Sequence, residues 1–222
     1  MLKVVDLRKS FNNIEVLKGI SFEVKEGEIG VVLGKSGAGK TTLIRCINGL
    51  ETFDSGEIIV DNIEIRNSDD MKNMRGQIGM VFQNFNLFPH MTVLENITEA
   101  PIKVLGKSRK EAEKIAIDLL RKVDLEDKKD DYPFQLSGGQ QQRVAIARSC
   151  ALMPKVLCFD EPTSALDKEN ISKIQEIIRR FKDNGMAILI ISHDIAFSKE
   201  MADKIIYIKE GILVDEKDID LN

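Results

Sequence analysis

The stretch EIGVVLGKSGAGKTTLIRCI, residues 28–47, constrains this chain more than any other. An apolar, strand-like run (28–33) leads directly into GKSGAGKTT (34–42) and then into a helical pattern. Gly34, four intervening residues and then Gly39-Lys40-Thr41 is the spacing of a phosphate-binding loop. Glycines let such a loop take backbone angles barred to other residues and bring N–H groups close to a phosphate. A helix opening at about Gly39 adds its dipole and its unpaired amides. Lys40 supplies a mobile positive charge for β- and γ-phosphates, and the Thr41 hydroxyl is a hard oxygen ligand for Mg²⁺. The glycine fingerprint of dinucleotide-binding folds is not matched, which argues against a nicotinamide cofactor.

Further strand-like runs fall into two groups. VVDL (4–7), GISFEV (19–24), EIGVVL (28–33), GEIIVDNIEI (56–65) and QIGMVF (77–82) precede a helix-rich middle. KVLCF (155–159), MAILIIS (186–192), KIIYI (204–208) and ILVDE (212–216) follow it. VVL, VLCF and AILII are apolar on both alternations, as central strands covered on both faces are. GEIIVDNIEI reads as one half-buried strand. In the middle, residues 108–123 carry Ala112, Ile115, Ala116, Leu119, Leu120 and Val123 on one helical face, with Ser108 and Glu111 as a capping box. Residues 169–185 are similarly periodic and end in Asn-Gly, a helix stop. The pattern predicts an α/β core interrupted by a helical lobe from about residue 86 to 150.

With 222 residues the chain has the length of one domain with a sizeable insertion. A net charge of -4 and a pI near 5.4 argue against a nucleic-acid surface. Cys46, Cys150 and Cys158 have no paired spacing, which predicts reduced, partly buried thiols. MLKVVDLRKS is charged too early for a secretory signal, and no apolar run approaches the ~18–20 residues of a membrane span. The expectation is a soluble chain, or one that reaches a membrane through another protein.

KVLCFDEPTSALD (155–167) ends an apolar strand in two acids, Asp160 and Glu161. The C-terminal end of a buried strand is where ligands bind in parallel sheets. Asp160 there suits a Mg²⁺ ion, directly or through water, and Glu161 can polarise a water. Gln83, after QIGMVF, offers an amide oxygen to a cation and an NH₂ to water. His193, after MAILIIS, sits at the end of a third core strand and is a candidate γ-phosphate sensor. His90, after Pro89, reads as a surface loop residue. LSGGQQQR (136–143) holds no obvious acid, base or nucleophile. Serine and glycine before good helix formers read as a helix start, a second anion-attracting end far from the first.

In this order Phe11, GKSGAGKTT, Gln83, LSGGQQQR, CFDE, SALD and His193 resemble the ABC-type ATPase subunits, across nearly the whole chain. The resemblance implies an α/β fold: a P-loop NTPase core with a parallel sheet, an N-terminal antiparallel β subdomain and an inserted α-helical lobe. It implies a single ABC ATPase domain over 1–222. About 1–85 and 151–222 would form the catalytic core with its β subdomain, and about 86–150 the helical lobe carrying the signature motif.

The implied roles follow position by position. Phe11 would stack on adenine with Val16 packing beside it. Gly34-Lys35-Ser36-Gly37-Ala38-Gly39-Lys40-Thr41-Thr42 would hold the ATP phosphates, and Thr41, Gln83 and Asp160 would serve Mg²⁺. Glu161 would be the general base and His193 the γ-phosphate switch, with Lys40 acting in catalysis. Ser137, Gly138, Gly139 and Gln140 would close over the ATP held by a second subunit. Asp167 would lie at the boundary, so that two sites form across a head-to-tail dimer. Four departures from the family pattern stand out. Phe11 replaces the commoner tyrosine, Lys35 the commoner proline and Ala38 the commoner serine, and DKEN follows SAL where a DP step is more typical.

Within that family, NFNLFPHMTVLENITEAPIKVLGKSRKEAEKIA (84–116) looks most like the ATPase subunits of polar amino-acid importers of the glutamine, arginine and histidine type. The implied partners are a second copy or a paralogous ATPase subunit, permease subunits docking near Gln83–Phe88 and, indirectly, an extracytoplasmic solute-binding protein. No nucleic acid is implied. The implied place is the cytoplasmic face of the cell membrane. Of the apolar Phe85, Leu87 and Phe88, about half are expected in the lobe core. The short stretch after GILVDE (211–216) predicts no appended regulatory domain. The alternatives are another short single-cassette complex, for lipoprotein release, export or cell division, or a soluble ABC protein of DNA repair or translation.

Overall fold

The structure is a computed structural model that describes residues 1–67, 70–164 and 166–218. Ala165 of SALD and residues 219–222 of the expected domain lie outside the described residues. The chain opens with a hairpin of β1 (Leu2–Phe11) and β2 (Ile14–Val24), turned at Asn12-Asn13 with φ of 49° and 64°. Asparagine tolerates this left-handed region better than most residues. β3 (Ile29–Leu33) enters the glycine-rich loop and α1 (Lys40–Ile47) leaves it. β4 (Ser55–Val60) and β5 (Ile63–Ile65) form a second hairpin.

That hairpin replaces the single strand expected over 56–65. The alternation changes phase at Asp61-Asn62, where Asp61 turns the chain at φ 53°. Val60 then pairs with Ile63 and Ile58 with Ile65, so these four apolar residues share one face, with Ile59 and Glu64 on the other.

The remaining elements are β6 (Ile78–Val81), α2 (Val93–Leu105), α3 (Arg109–Lys122), α4 (Gly138–Cys150), β7 (Val156–Asp160), α5 (Lys168–Asp183), β8 (Ala187–Ser192), α6 (Ile195–Met201), β9 (Lys204–Lys209) and β10 (Ile212–Val214). The described strands make two sheets. One is antiparallel, in the order β2-β1-β4-β5. The other runs β10-β9-β3-β8-β7-β6 and is parallel except for β10 at its edge.

The parallel strands divide their side chains between two cores with a period of two. Ile188 and Ile190 of β8 join Leu157 and Phe159 of β7 on one face, against α4 and α5. Leu189 and Ile191 join Cys158 on the other face, against α1 and the antiparallel sheet. α1 is thus sandwiched between the sheets and buries Leu43, Ile44, Cys46 and Ile47. All three cysteines are buried, and burial pushes each thiol up to about 12. Among the described residues no helix is long and apolar enough to cross a membrane.

Between β6 and β7 the chain builds α2, α3 and α4. Thr92 with Glu95, Ser108 with Glu111 and Ser137 with Gln140 each close a capping box at a helix start. Asn96, a buried side chain of α2, fastens the loop from Phe82 to Thr92 at its far end. Asn96 Oδ1 accepts from the Phe88 amide at 2.8 Å, and Nδ2 donates to the carbonyls of Phe88, Met91 and Thr92 at 3.1, 3.2 and 2.9 Å. Asn96→Ala removes the acceptor of the Phe88 amide and the donor to three loop carbonyls. It is expected to lower unfolding stability by about 1–3 kcal/mol, seen as a lower urea midpoint at unchanged slope.

Candidate functional site

The order of the parallel sheet decides where the candidate residues meet. β8 lies between β3 and β7, with Leu33 opposite Ser192 and Ile191 opposite Asp160. The glycine-rich loop, the Asp160-Glu161 pair and His193 therefore leave the same edge of adjacent strands, the carboxyl edge at which parallel α/β sheets hold ligands.

The loop's glycines are required by geometry. A Cβ on Gly34 would collide with the carbonyl oxygen of Ile208. Gly39, at φ 102°, is the N-cap of α1 and offers no side chain to its amides. The first turn of α1 carries no acidic residue either, so its unpaired N–H groups face an open cleft. Lys40 is buried, and its Nζ donates to the loop's own carbonyls, Gly34 at 2.7 Å and Lys35 at 3.0 Å. Burial pulls its pKa down, against the attraction of Glu161 and Asp160.

Glu161 sits at φ 50°, an αL position that costs a residue of this kind roughly 1–3 kcal/mol. Its amide donates to the Ile191 carbonyl at 3.0 Å, which ties it to β8. Glu161 Oε2 lies 2.7 Å from His193 Nδ1. A carboxylate only accepts, which puts the imidazole proton on Nδ1. The Glu161 side chain is 16% exposed and that of His193 67%. Gln83 Nε2 donates to Ser164 Oγ at 3.0 Å, and Ser164 Oγ donates to the Glu161 carbonyl at 3.1 Å.

These groups surround one cleft of about 620 Å³. Val16, Ser36, Gly37 and Gly39 line one side with Lys40, Thr41 and Thr42, and Gln83, Glu161 and His193 line the other. Asp160 is half-buried and is not among the lining residues. Burial and then the Glu161 carboxylate hold its pKa above the usual carboxylate range, against the pull of Arg45 and Lys40. Lys35 and Ala38 line, with Ile208–Glu210, an adjoining cavity of about 390 Å³. Phe11 is not brought to the cleft. It stands at the outer end of β1, 41% exposed, with the Lys9 ammonium 4.7 Å from its ring centroid.

The second anion-attracting end is elsewhere. Ser137 caps α4, where its Oγ accepts from the Gln140 amide at 3.3 Å and Gln140 Oε1 accepts from the Ser137 amide at 2.8 Å. None of Ser137, Gly138, Gly139 and Gln140 lines the cleft. A Cβ on Gly138 would meet open space, whereas one on Gly139 would strike the Asn170 side chain. Asn170 donates to both oxygens of Asp167 at 3.1 Å, and Asp167 caps α5. The starts of α4 and α5 are therefore packed together in one chain.

In the 83–90 loop, Phe85 and Leu87 pack half-buried on the core, and Phe88 stays 43% exposed. Arg148 holds this loop from α4, donating to Asn86 and Phe85 carbonyls at 2.6 and 2.9 Å under the Phe88 ring. His90 is exposed in the loop. Sequence reasoning missed Arg148, and it gave no role to Gln142 and Ser164 although they lie within LSGGQQQR and SALD. Each acts through a contact between distant segments that no local pattern signals.

A family model described as "ABC transporter" matches residues 17–164. The glutamine transport ATP-binding protein GlnQ of Geobacillus stearothermophilus is 48% identical over 217 residues, 97% of this chain and 90% of that protein. The arginine transport ATP-binding protein ArtM of Bacillus subtilis (strain 168) is 47% identical, again covering 97% of this chain and 90% of that protein. Among solved structures, a dimeric bacterial ABC transporter cassette superposes with a TM-score of 0.85 at 36% identity, over 97% of both chains. The post-hydrolysis dimer of that cassette, bound to ADP and Pi, gives 0.84 at 36% identity, also over 97% of both chains.

The raised pKa of Asp160 has a thermodynamic sign. A carboxyl that ionises less readily in the folded chain than in the unfolded one lowers stability at pH above its folded pKa. That loss fades as pH falls toward the unfolded value of about 3.9. Asp160→Asn is therefore expected to raise the melting temperature of the nucleotide-free protein at neutral pH, by less as the pH is lowered. Thermal melts across pH check this, and a pH-independent gain would contradict a charge origin.

Proposed function

This chain belongs to the ABC transporter family, and from that premise we propose that it is the ATP-hydrolysing subunit that powers an amino-acid importer. The observation that carries the reading is the single cleft in which the glycine-rich loop, Gln83, Glu161 and His193 meet at the carboxyl edge of the parallel sheet. The ATP phosphates lie over the loop amides and the start of α1. Lys40 exchanges its two loop carbonyls for phosphate oxygens. Glu161 takes a proton from the attacking water, and His193 leaves the carboxylate for the γ-phosphate. The step is phosphoryl transfer to water, driven by positioning and charge rather than by a covalent intermediate.

The Thr41 hydroxyl and the Gln83 amide oxygen, with Asp160 behind them, fit Mg²⁺ by donor type. They are few, hard and oxygen-only, as in sites that also rely on substrate phosphates and water. When bound, the ion neutralises charge on the phosphates.

Ser137 and its two glycines lie away from their own chain's cleft, which supports a role at the site of a second copy. ATP bridging two copies has differential affinity for the closed dimer, and hydrolysis removes the bridge. The exposed Phe88 ring supports a docking surface for permease subunits along the loop from Gln83, and that docking would hold the chain at the cytoplasmic face of a membrane. An extracytoplasmic solute-binding protein would deliver the amino acid. The adenine contact to Phe11 requires the base to extend beyond the cleft to the end of β1.

Two substitutions test this reading. Glu161→Gln should keep ATP binding, lose about 10²–10⁴-fold in turnover and accumulate an ATP-dependent dimer in size-exclusion chromatography. Rapid hydrolysis by that variant would remove Glu161 as base. Ser137→Arg should bind ATP as a monomer near normally while turnover falls about 100-fold or more. Loss of monomer binding in an equilibrium titration would refute the in-trans role.

A further inference from the structure

Gln142 is 2% exposed, on α4 just beyond the Ser137 cap. Its Nε2 donates to the carbonyl oxygen of Pro162, the residue after Glu161. Its Oε1 is buried without a donor among the described residues. A side chain chosen for stability alone would use both ends of its amide or be apolar, because a buried oxygen without a partner is costly. What the amide does achieve is geometric. It fixes the Pro162–Thr163 peptide, one residue beyond Glu161, in the turn where Glu161 holds φ 50°. Ser164 and Gln83 hold the same turn from its other side. Ser149 Oγ meanwhile donates to the Met80 carbonyl at 2.6 Å, so the far end of α4 is fixed to β6.

We propose that Gln142 is a positioning residue that couples the two ATP sites of the dimer. α4 of one subunit is seated by the ATP its partner holds, and Gln142 passes that seating to Glu161 in the subunit's own cleft. This rests on the head-to-tail reading above. Ser137 and Gln142 are about 7.5 Å apart along one helix, so a displacement of the helix start reaches Pro162 without an intervening flexible element. A subunit whose signature end is unengaged then has its own Glu161 less well placed, and each site favours turnover at the other.

Gln142→Met tests the proposal, being unbranched, similar in volume and without either amide group. The expected result is a melting temperature equal to or above wild type, KM for ATP within about twofold and kcat reduced about 10- to 100-fold. The Hill coefficient for ATP hydrolysis is expected to be above one in wild type and to fall toward one in the variant. In a second variant, Gln142→Glu, the donor exists only when the carboxyl is protonated. Its kcat relative to wild type should therefore rise as pH falls from about 8 to about 6. Wild-type kcat in Gln142→Met, a wild-type Hill coefficient of one, parallel loss of stability and ATP binding, or a pH-independent ratio for Gln142→Glu would each overturn it. Failure of the functional reading itself looks different: the wild-type chain would not hydrolyse ATP.

Discussion

The parallel pairing of β8 between β3 and β7 is the interaction on which the rest depends. Each strand alone ends in a residue of modest chemistry. Side by side in this register they bring an anion-binding loop, two carboxylates and an imidazole to one edge. The pairing holds because all three strands are apolar on both faces and bury them in two separate cores, one under α4 and α5 and one around α1. A polar residue at an interior position of β8 would cost burial in one of these cores and disturb the alignment of both neighbours.

Within the cleft the polar and charged groups are matched to one another. Lys40 leans on loop carbonyls, Glu161 on His193 and Gln83 on Ser164. Burial works against the charged form of both Lys40 and Asp160.

How much of this the sequence disclosed depends on the range of the interaction. Backbone requirements are local and leave compositional traces: glycines at fixed spacing in 34–39, apolar runs in β3, β7 and β8, and capping residues at 108 and 111. The helix over 109–122 and the strand-end positions of Gln83, Glu161 and His193 could be read for that reason. The hairpin at 61–62 was hidden because a two-residue turn shifts the alternation without interrupting it. α2 was masked by Pro101 inside it, although Val93, Ile97 and Pro101 recur on its buried side. The side chains that fasten the site join segments 20 to 81 residues apart. Position in the sequence carries no signal for such contacts, so what Gln142, Ser164 and Arg148 hold emerges only from coordinates, even though the first two stand within recognisable motifs. Phe11 shows the converse, since a residue chosen by motif order lies outside the cleft, at the end of β1.

The two glycines at the start of α4 differ in what would notice their loss. Gly139 is pressed against Asn170, so any side chain there disturbs the chain that carries it. Gly138 faces open space, and nothing in its own fold forbids a larger residue. Adjacent codons are thus policed at different levels. One is screened whenever a single molecule folds, and the other, on the head-to-tail arrangement proposed above, only when two molecules meet. In a cell holding a mixture of alleles, a defect at the first position weakens the molecule that carries it. On the same proposal, a defect at the second leaves the molecule intact to enter, and spoil, assemblies with normal copies.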